Sequence, residues 1–246
     1  PEKAIITHLD WDAAIDFDKN VITAAAKFKI EQSGATDRIV FDINDLEIHG
    51  AKDQEGKSLE FKIGEEEPFL GQPLEISISA NVTEVEIEYT TSPEAEALQW
   101  LTPKQTSGEN MPFLFTQSQA ILCRSWIPIQ DSPGIRITYN AKVKVPEGML
   151  ALMSATNPTE VDPSGEYEFE MKQPIPAYLM ALAVGEIDYT SLSNRTGVYA
   201  EPPVLKPAAW EFEEMEVMVQ AAEKLYGAYA WDVYDLIVLP PSFPFG

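Results

Sequence analysis

Two glutamines two residues apart, Gln117 and Gln119, interrupt the apolar run Phe113-Leu114-Phe115-Thr116-Gln117-Ser118-Gln119-Ala120-Ile121-Leu122-Cys123-Arg124. On a strand, side chains two apart point to the same face. An unsatisfied buried amide costs roughly 1–3 kcal/mol, so both must have partners. Two readings follow: the amides tie down neighbouring loops, or their carbonyls face a cleft and accept hydrogen bonds from a ligand ammonium. The other reactive residue types are sparse. His8 and His49 are the only histidines, in separate segments without His-x-x-x-His spacing, so no zinc-binding pair can form on one helix face. Both read as ordinary surface or turn histidines, His49 at a strand end. Asp10, Asp12, Asp16 and Asp18 invite a calcium loop, but Ala14 and Ile15 stand where a ligand and a glycine belong, leaving a solvated acidic edge. Cys123, the single cysteine, excludes an internal disulfide and reads as a buried, inert thiol. A Ser nucleophile elbow and a phosphate loop are both missing. With 40 Asp and Glu residues, paired carboxylates arise by chance and support no glycosidase claim.

The elements that must position these residues follow a period of two. From about residue 20 to 190, apolar side chains alternate with polar ones: Ile22 to Ile30, Leu74 to Val82, Val85 to Tyr89, Ile135 to Val145 and Tyr167 to Met171. Each segment predicts a strand with one buried and one wet face, and together they predict antiparallel sheets in a sandwich or one large curved sheet. Several wet faces carry one sign, Glu in Val85–Tyr89 and Tyr167–Met171 and mostly Lys among the charges of Ile22–Ile30 and Ile135–Val145, which suits pairing of opposite charges across strands. Gly71-Gln72-Pro73, Ser132-Pro133-Gly134 and Asp162 to Gly165 supply turns between them.

Near residue 187 the texture changes. Ser191 to Gly197 is polar and Glu201 to Pro207 is proline-rich. Phe212, Met215, Met218, Val219, Ala222, Leu225 and Tyr226 then fall at helical spacing, with Glu211, Glu213, Glu214 and Glu216 where a helix dipole favours carboxylates. A helix over 209–226 and a buried strand over 235–239 are expected. One helix and one strand cannot bury their own apolar faces, so residues 188–246 are expected to open a second, α/β domain whose body lies beyond the sequence. Residues 1–187 form the first, mainly β domain.

Bulk composition narrows the partners. The net charge is −23 over 246 residues, with 45% hydrophobic residues, which supports a packed core and disfavours nucleic acid or anionic membrane as partner. An acidic face beside a cleft would attract a cation such as a peptide's free amine. Pro1 to Asp12 holds no basic stretch followed by a long apolar run, and no run approaches the ~20 apolar residues of a membrane span. Cytoplasm is the expected location, which makes the sequons at Asn81 and Asn194 chance occurrences.

The residues also carry a family resemblance. Thr116-Gln117-Ser118-Gln119-Ala120 through Arg124, followed by Pro128-Ile129-Gln130-Asp131-Ser132-Pro133, resembles the N-terminal domain signature of zinc aminopeptidases related to aminopeptidase N. Ala151-Leu152-Met153-Ser154-Ala155 and Leu239-Pro240-Pro241-Ser242-Phe243-Pro244-Phe245-Gly246 resemble the leukotriene A4 hydrolase branch, in which the closing segment continues into a G-x-M-E-N motif. The resemblance implies a large saddle-shaped β domain followed by a thermolysin-like α/β domain. Gln119 matches the position that binds the substrate's free α-amine, Gln117 is its companion, and Phe245 and Gly246 fall at the first side-chain pocket. Phe245 lacks the hydroxyl that Tyr would bring there. The zinc ligands and general base would lie downstream, so this chain alone is expected to bind no zinc and to hydrolyse nothing. Its partners are then peptides with a free N-terminus and the remainder of its own catalytic domain. The rival reading is a noncatalytic β-sandwich binding module.

Overall fold

The computed structural model describes residues 3–34 and 36–243. In chain order the strands begin with β1 Ala4–Asp16, β2 Val21–Gln32, β3 Arg38–Ile43, β4 Leu46–Asp53, β5 Phe61–Ile63 and β6 Gln72–Ser77. They continue with β7 Glu84–Thr91, β8 Leu98–Leu101, β9 Phe113–Thr116, β10 Arg136–Lys144 and β11 Leu150–Met153. The last are β12 Glu166–Pro176, β13 Leu182–Gly185, β14 Asp188–Ser191, β15 Thr196–Ala200 and β16 Tyr234–Ile237, with helices α1 Pro202–Glu211 and α2 Met215–Tyr226 between β15 and β16.

Four of the five period-two segments, β2, β7, β10 and β12, join β1 and β4 in a six-stranded sheet in the order β12-β10-β1-β2-β7-β4, while the fifth, β6, lies in another sheet. Leu9, Trp11 and Ala13 of β1, Ala26 and Phe28 of β2, Ile87 and Tyr89 of β7 and Tyr139 and Val143 of β10 all bury their inward faces. The charged outer faces pair as their signs predict: Lys142 lies opposite Glu168 and Lys144 opposite Glu166, each with N–O contacts of 3.0 Å. Lys27 meets Glu86 and Lys52 meets Glu88 on the far half of the sheet. Smaller sheets, β3-β6-β5 and β11-β13-β9-β8, share the main apolar cluster.

Five expectations need correction. The buried strand expected over 235–239 is β16, which spans Tyr234–Ile237 with both end residues exposed. The expected antiparallel pairing holds for most neighbours, whereas β1 beside β10 and β15 beside β16 run parallel. A parallel pair needs a long connection, and roughly 120 residues separate β1 from β10, far too long for local alternation to report. The alternating run Leu74–Val82 holds a strand only to Ser77; Val82 N–H then closes a turn on Ser79 O. His49 lies inside β4 at an irregularity between Ile48 and Gly50, not at a strand end, and bonds Thr90 Oγ1 at 2.8 Å. The single helix over 209–226 is two helices. The proline-rich stretch begins α1, with Pro202 and Pro203 in the first turn, where a missing N–H costs nothing. Glu211, Glu213 and Glu214 favour the positive start of α2 but oppose the negative end of α1, and the helix breaks between them.

Candidate functional site

Strand β9 leads directly into the two glutamines. It lies between β13 and β8, with Phe113, Leu114 and Phe115 buried, and Thr116 Oγ1 accepts the Leu182 N–H at 2.9 Å. The strand ends at Thr116, so Gln117 and Gln119 are not strand residues, and both are exposed. Ser118 between them is buried. Its hydroxyl donates to Met180 O at 2.8 Å and accepts from Trp126 Nε1 at 3.1 Å. Gln117 N–H donates to Ala97 O at 2.9 Å, Leu122 N–H closes the turn on Ser118 O, and the Gln119–Ala120 peptide is cis. The backbone is thereby pinned while the flanking amides are turned out. Among the described residues neither amide side chain has a hydrogen-bond partner.

The bracing role weighed for these amides belongs to a third glutamine. Gln130 is fully buried; its Oε1 accepts Ile6 N–H at 3.0 Å and its Nε2 donates to Ala4 O at 3.0 Å and Val40 O at 3.1 Å. Neighbouring polar residues are likewise structural. Arg124 donates through Nε to Asp131 Oδ2 at 3.3 Å and through a terminal nitrogen to Leu70 O at 2.6 Å. Burial pushes the Asp131 carboxyl up, with Arg124 pulling the other way. Cys123 is fully buried, and burial raises its thiol well above the ordinary range, so it is no nucleophile.

Two buried groups near the site escaped the sequence reading. For Ser118 the available signal was a serine flanked by glutamines in an apolar run. Glu201, at the head of the proline-rich stretch, is 2% exposed and accepts Ser107 N–H at 2.9 Å and Gly108 N–H at 3.2 Å. It ties the loop before β9 to the start of α1. Ser242 Oγ donates to Gln105 O in the same loop at 3.3 Å, and Phe243 meets Phe115 of β9 edge-to-face with centroids 5.5 Å apart. Ser242 and Phe243 thus lie back against β9 and the loop before it. A cavity of about 250 Å³ lined by Phe115, Thr116, Leu152, Tyr199, Ile237 and Leu239 lies along this contact. Phe245 and Gly246 lie outside the described residues.

No group of three or more His, Cys, Asp or Glu among the described residues is placed to hold a metal ion. His8 and His49 sit on β1 and β4, with β2 and β7 between them. His8 instead bonds Thr138 Oγ1 at 2.6 Å and faces Asp10, whose carboxyl the Asn140 and His8 hydrogen bonds lower against the opposing effect of burial. None of the described helices is long and apolar enough to cross a membrane.

Known proteins share this fold. Residues 6–179 match the peptidase M1 N-terminal domain. The chain is 39% identical to leukotriene A-4 hydrolase of Xenopus laevis, over 100% of this chain and 42% of that protein. It is 35% identical to leucine aminopeptidase 2 of Yarrowia lipolytica, over 94% of this chain and 36% of that protein. The native yeast LTA4 hydrolase structure superposes with a TM-score of 0.92 at 31% identity, covering 100% of this chain and 39% of the other. An M1 zinc metallopeptidase from Deinococcus radiodurans shares the fold, with a TM-score of 0.75 at 17% identity over 97% of this chain and 57% of the other. The chain therefore spans well under half the length of the curated relatives it matches, and it belongs to the peptidase M1 N-terminal domain family.

Proposed function

We propose that the chain is the N-terminal portion of a zinc aminopeptidase that removes residues from the N-termini of peptides, and that its part in the reaction is to anchor the substrate's α-amine. Gln119 is the principal anchor and Gln117 its companion. The carrying observation is the pairing of two exposed, unpartnered amides with a pinned backbone: Ser118 fixes the turn, so the carbonyl of Gln119 is presented without prior commitment to the fold. A neutral amide oxygen accepting from an ammonium forms a charge-assisted hydrogen bond, worth about 1.5–3 kcal/mol. Phe245 and Gly246 are proposed to line the first side-chain pocket, a role that rests on the family resemblance of Leu239 to Gly246. The described residues do not fit a zinc site, so no metal-dependent step is assigned to them. Residues 1–187 are proposed as the β domain and 188–246 as the opening of the catalytic one. Supporting this division, β14-β15-β16 make a separate sheet and Val198, Ala200 and Ala208 centre a separate apolar cluster.

The test uses the longer parent enzyme and an aminoacyl anilide. Gln119→Ala should lower kcat/KM by roughly ten- to a hundredfold, since each ~1.4 kcal/mol is a factor of ten. Its melting temperature should hold, because the amide braces nothing in the fold. Gln119→Glu should retain substantial activity, as a carboxylate accepts the same hydrogen bonds. Unchanged kinetics in the Ala variant would end the anchor reading, and a parent without peptidase activity would make this domain a binding module instead.

A further inference from the structure

A second cavity, of about 680 Å³, lies between the β11–β12 edge of the β domain and the segment that enters β16; neither Gln117 nor Gln119 lines it. Three aromatic rings line it: Tyr229, Trp231 and Tyr234. The Tyr229 centroid stands 5.6 Å from that of Trp231, at 51° between planes, and 5.6 Å from that of Tyr234, at 72°. Rings so inclined present faces in different directions. The charged lining is dominated by carboxylates, Glu168, Glu170, Asp232 and Asp235, against the single cation Lys172.

These carboxylates differ in what they already hold. Glu168 pairs with Lys142 at 3.0 Å and Glu170 with Lys172 at 3.4 Å. Asp235 is half-buried in β16 and has no ion pair among the described residues. Burial pushes its carboxyl up, with only the Gly197 N–H opposing. Hydrogen bonds and strand pairing brace the walls: Gln173 Nε2 donates to Ala230 O at 2.8 Å, Tyr229 N–H donates to Glu223 Oε1 at 3.0 Å, and Asp235 is in register with Gly197 of β15.

We propose that this cavity binds an organic monocation of the alkylammonium class, held against the faces of Tyr229, Trp231 and Tyr234 with Asp235 as its counter-charge. Aromatic faces attract cations through their quadrupole, most strongly where water is displaced. A bare metal ion does not suit the site, which offers no group of three ligating side chains. The volume falls within the roughly 300–1,000 Å³ of small-ligand sites, enough for a lysine side chain or a quaternary ammonium group.

The test titrates the 246-residue chain with tetramethylammonium chloride and with N-acetyl-lysine methylamide, at constant chloride, with tert-butanol as the neutral control of similar shape. The reporter is the Trp231 indole N–H resonance, assigned by its loss in Trp231→Phe. A saturable shift with at least one cation, and none of comparable size with tert-butanol, is expected. Asp235→Asn, whose amide oxygen can still accept the Gly197 N–H, should weaken binding by about tenfold. Trp231→Leu, at a residue 43% exposed, should do the same when read from the Tyr234 backbone amide. Saturation by tetramethylammonium alone assigns the quaternary source, and by the lysine derivative alone a lysine side chain. Lack of saturation with both cations, an equal response to tert-butanol, or full affinity in both folded variants would overturn the proposal.

Discussion

Ser118 is where the fold meets the proposed anchor. A run of buried polar contacts leads to it from the large sheet: Trp11 Nε1 donates to Tyr89 OH at 2.9 Å, Tyr89 OH donates to Trp126 O at 2.9 Å, and Trp126 Nε1 donates to Ser118 Oγ. Each member satisfies the next, so removing one leaves buried groups without partners. Ser118→Ala strands Trp126 Nε1 and Met180 O and should cost about 2–6 kcal/mol, at roughly 1–3 kcal/mol for each orphaned group. Urea unfolding of the chain measures it. In the parent enzyme the same variant should also lower kcat/KM, because the turn that presents Gln119 loses its pin; Tyr89→Phe, two contacts away, should cost similar stability and leave the kinetics nearly intact. Equal kinetic losses in the two variants would show that the effect is general destabilisation. Arg124→Leu makes a harsher change, leaving Asp131 buried without its guanidinium, and should cost about 3–5 kcal/mol.

Among the elements, α2 is held by charge more than by packing. Only Met215 and Val219 are buried, while Val217, Met218 and Leu225 are exposed. Arg195, in the loop between β14 and β15, donates to Glu216 at 3.0 Å and to Glu223 at 2.7 and 2.8 Å. The Arg195 hydrogen bonds lower the Glu223 carboxyl from 4.5 to about 2. A carboxylate depressed in the folded state stabilises above its unfolded value and loses that contribution as pH falls through its folded one. Glu223→Gln should therefore increase amide exchange across α2 at pH 6, and the difference from the unaltered chain should shrink from about pH 4.5 downward and vanish near pH 2. A difference that persists unchanged at pH 2 would assign the tether to packing. Such tethers were not legible in the sequence, because Arg195 lies 21 residues from Glu216 and 28 from Glu223 and no local pattern links them. The sheet strands were legible, because alternation reports burial on one face. Their parallel pairing was not, since the β1–β10 register is set across the molecule. The glutamines illustrate the same limit: their spacing was read as strand, yet the strand stops at Thr116 and Ser118 alone is buried.

At the scale of the whole molecule, stability is unevenly distributed. The four-stranded and six-stranded sheets share one large apolar cluster, whereas β15, β16 and α1 surround a small one. Amides in β1, β2, β7 and β10 should exchange only with global unfolding, and those of α2 and β16 much faster; equal protection in both regions would contradict this. The Lys142–Glu168 and Lys144–Glu166 pairs cancel in charge, so the net −23 comes from carboxylates in excess of such pairs. In the proposed division of labour this chain recognises the peptide amine and a longer polypeptide holds the metal. Zinc content of the purified 246-residue chain and of its parent decides the matter. About one zinc per parent polypeptide and substoichiometric, weakly held zinc on the chain alone are expected; one tightly bound zinc per 246-residue chain would overturn the proposal.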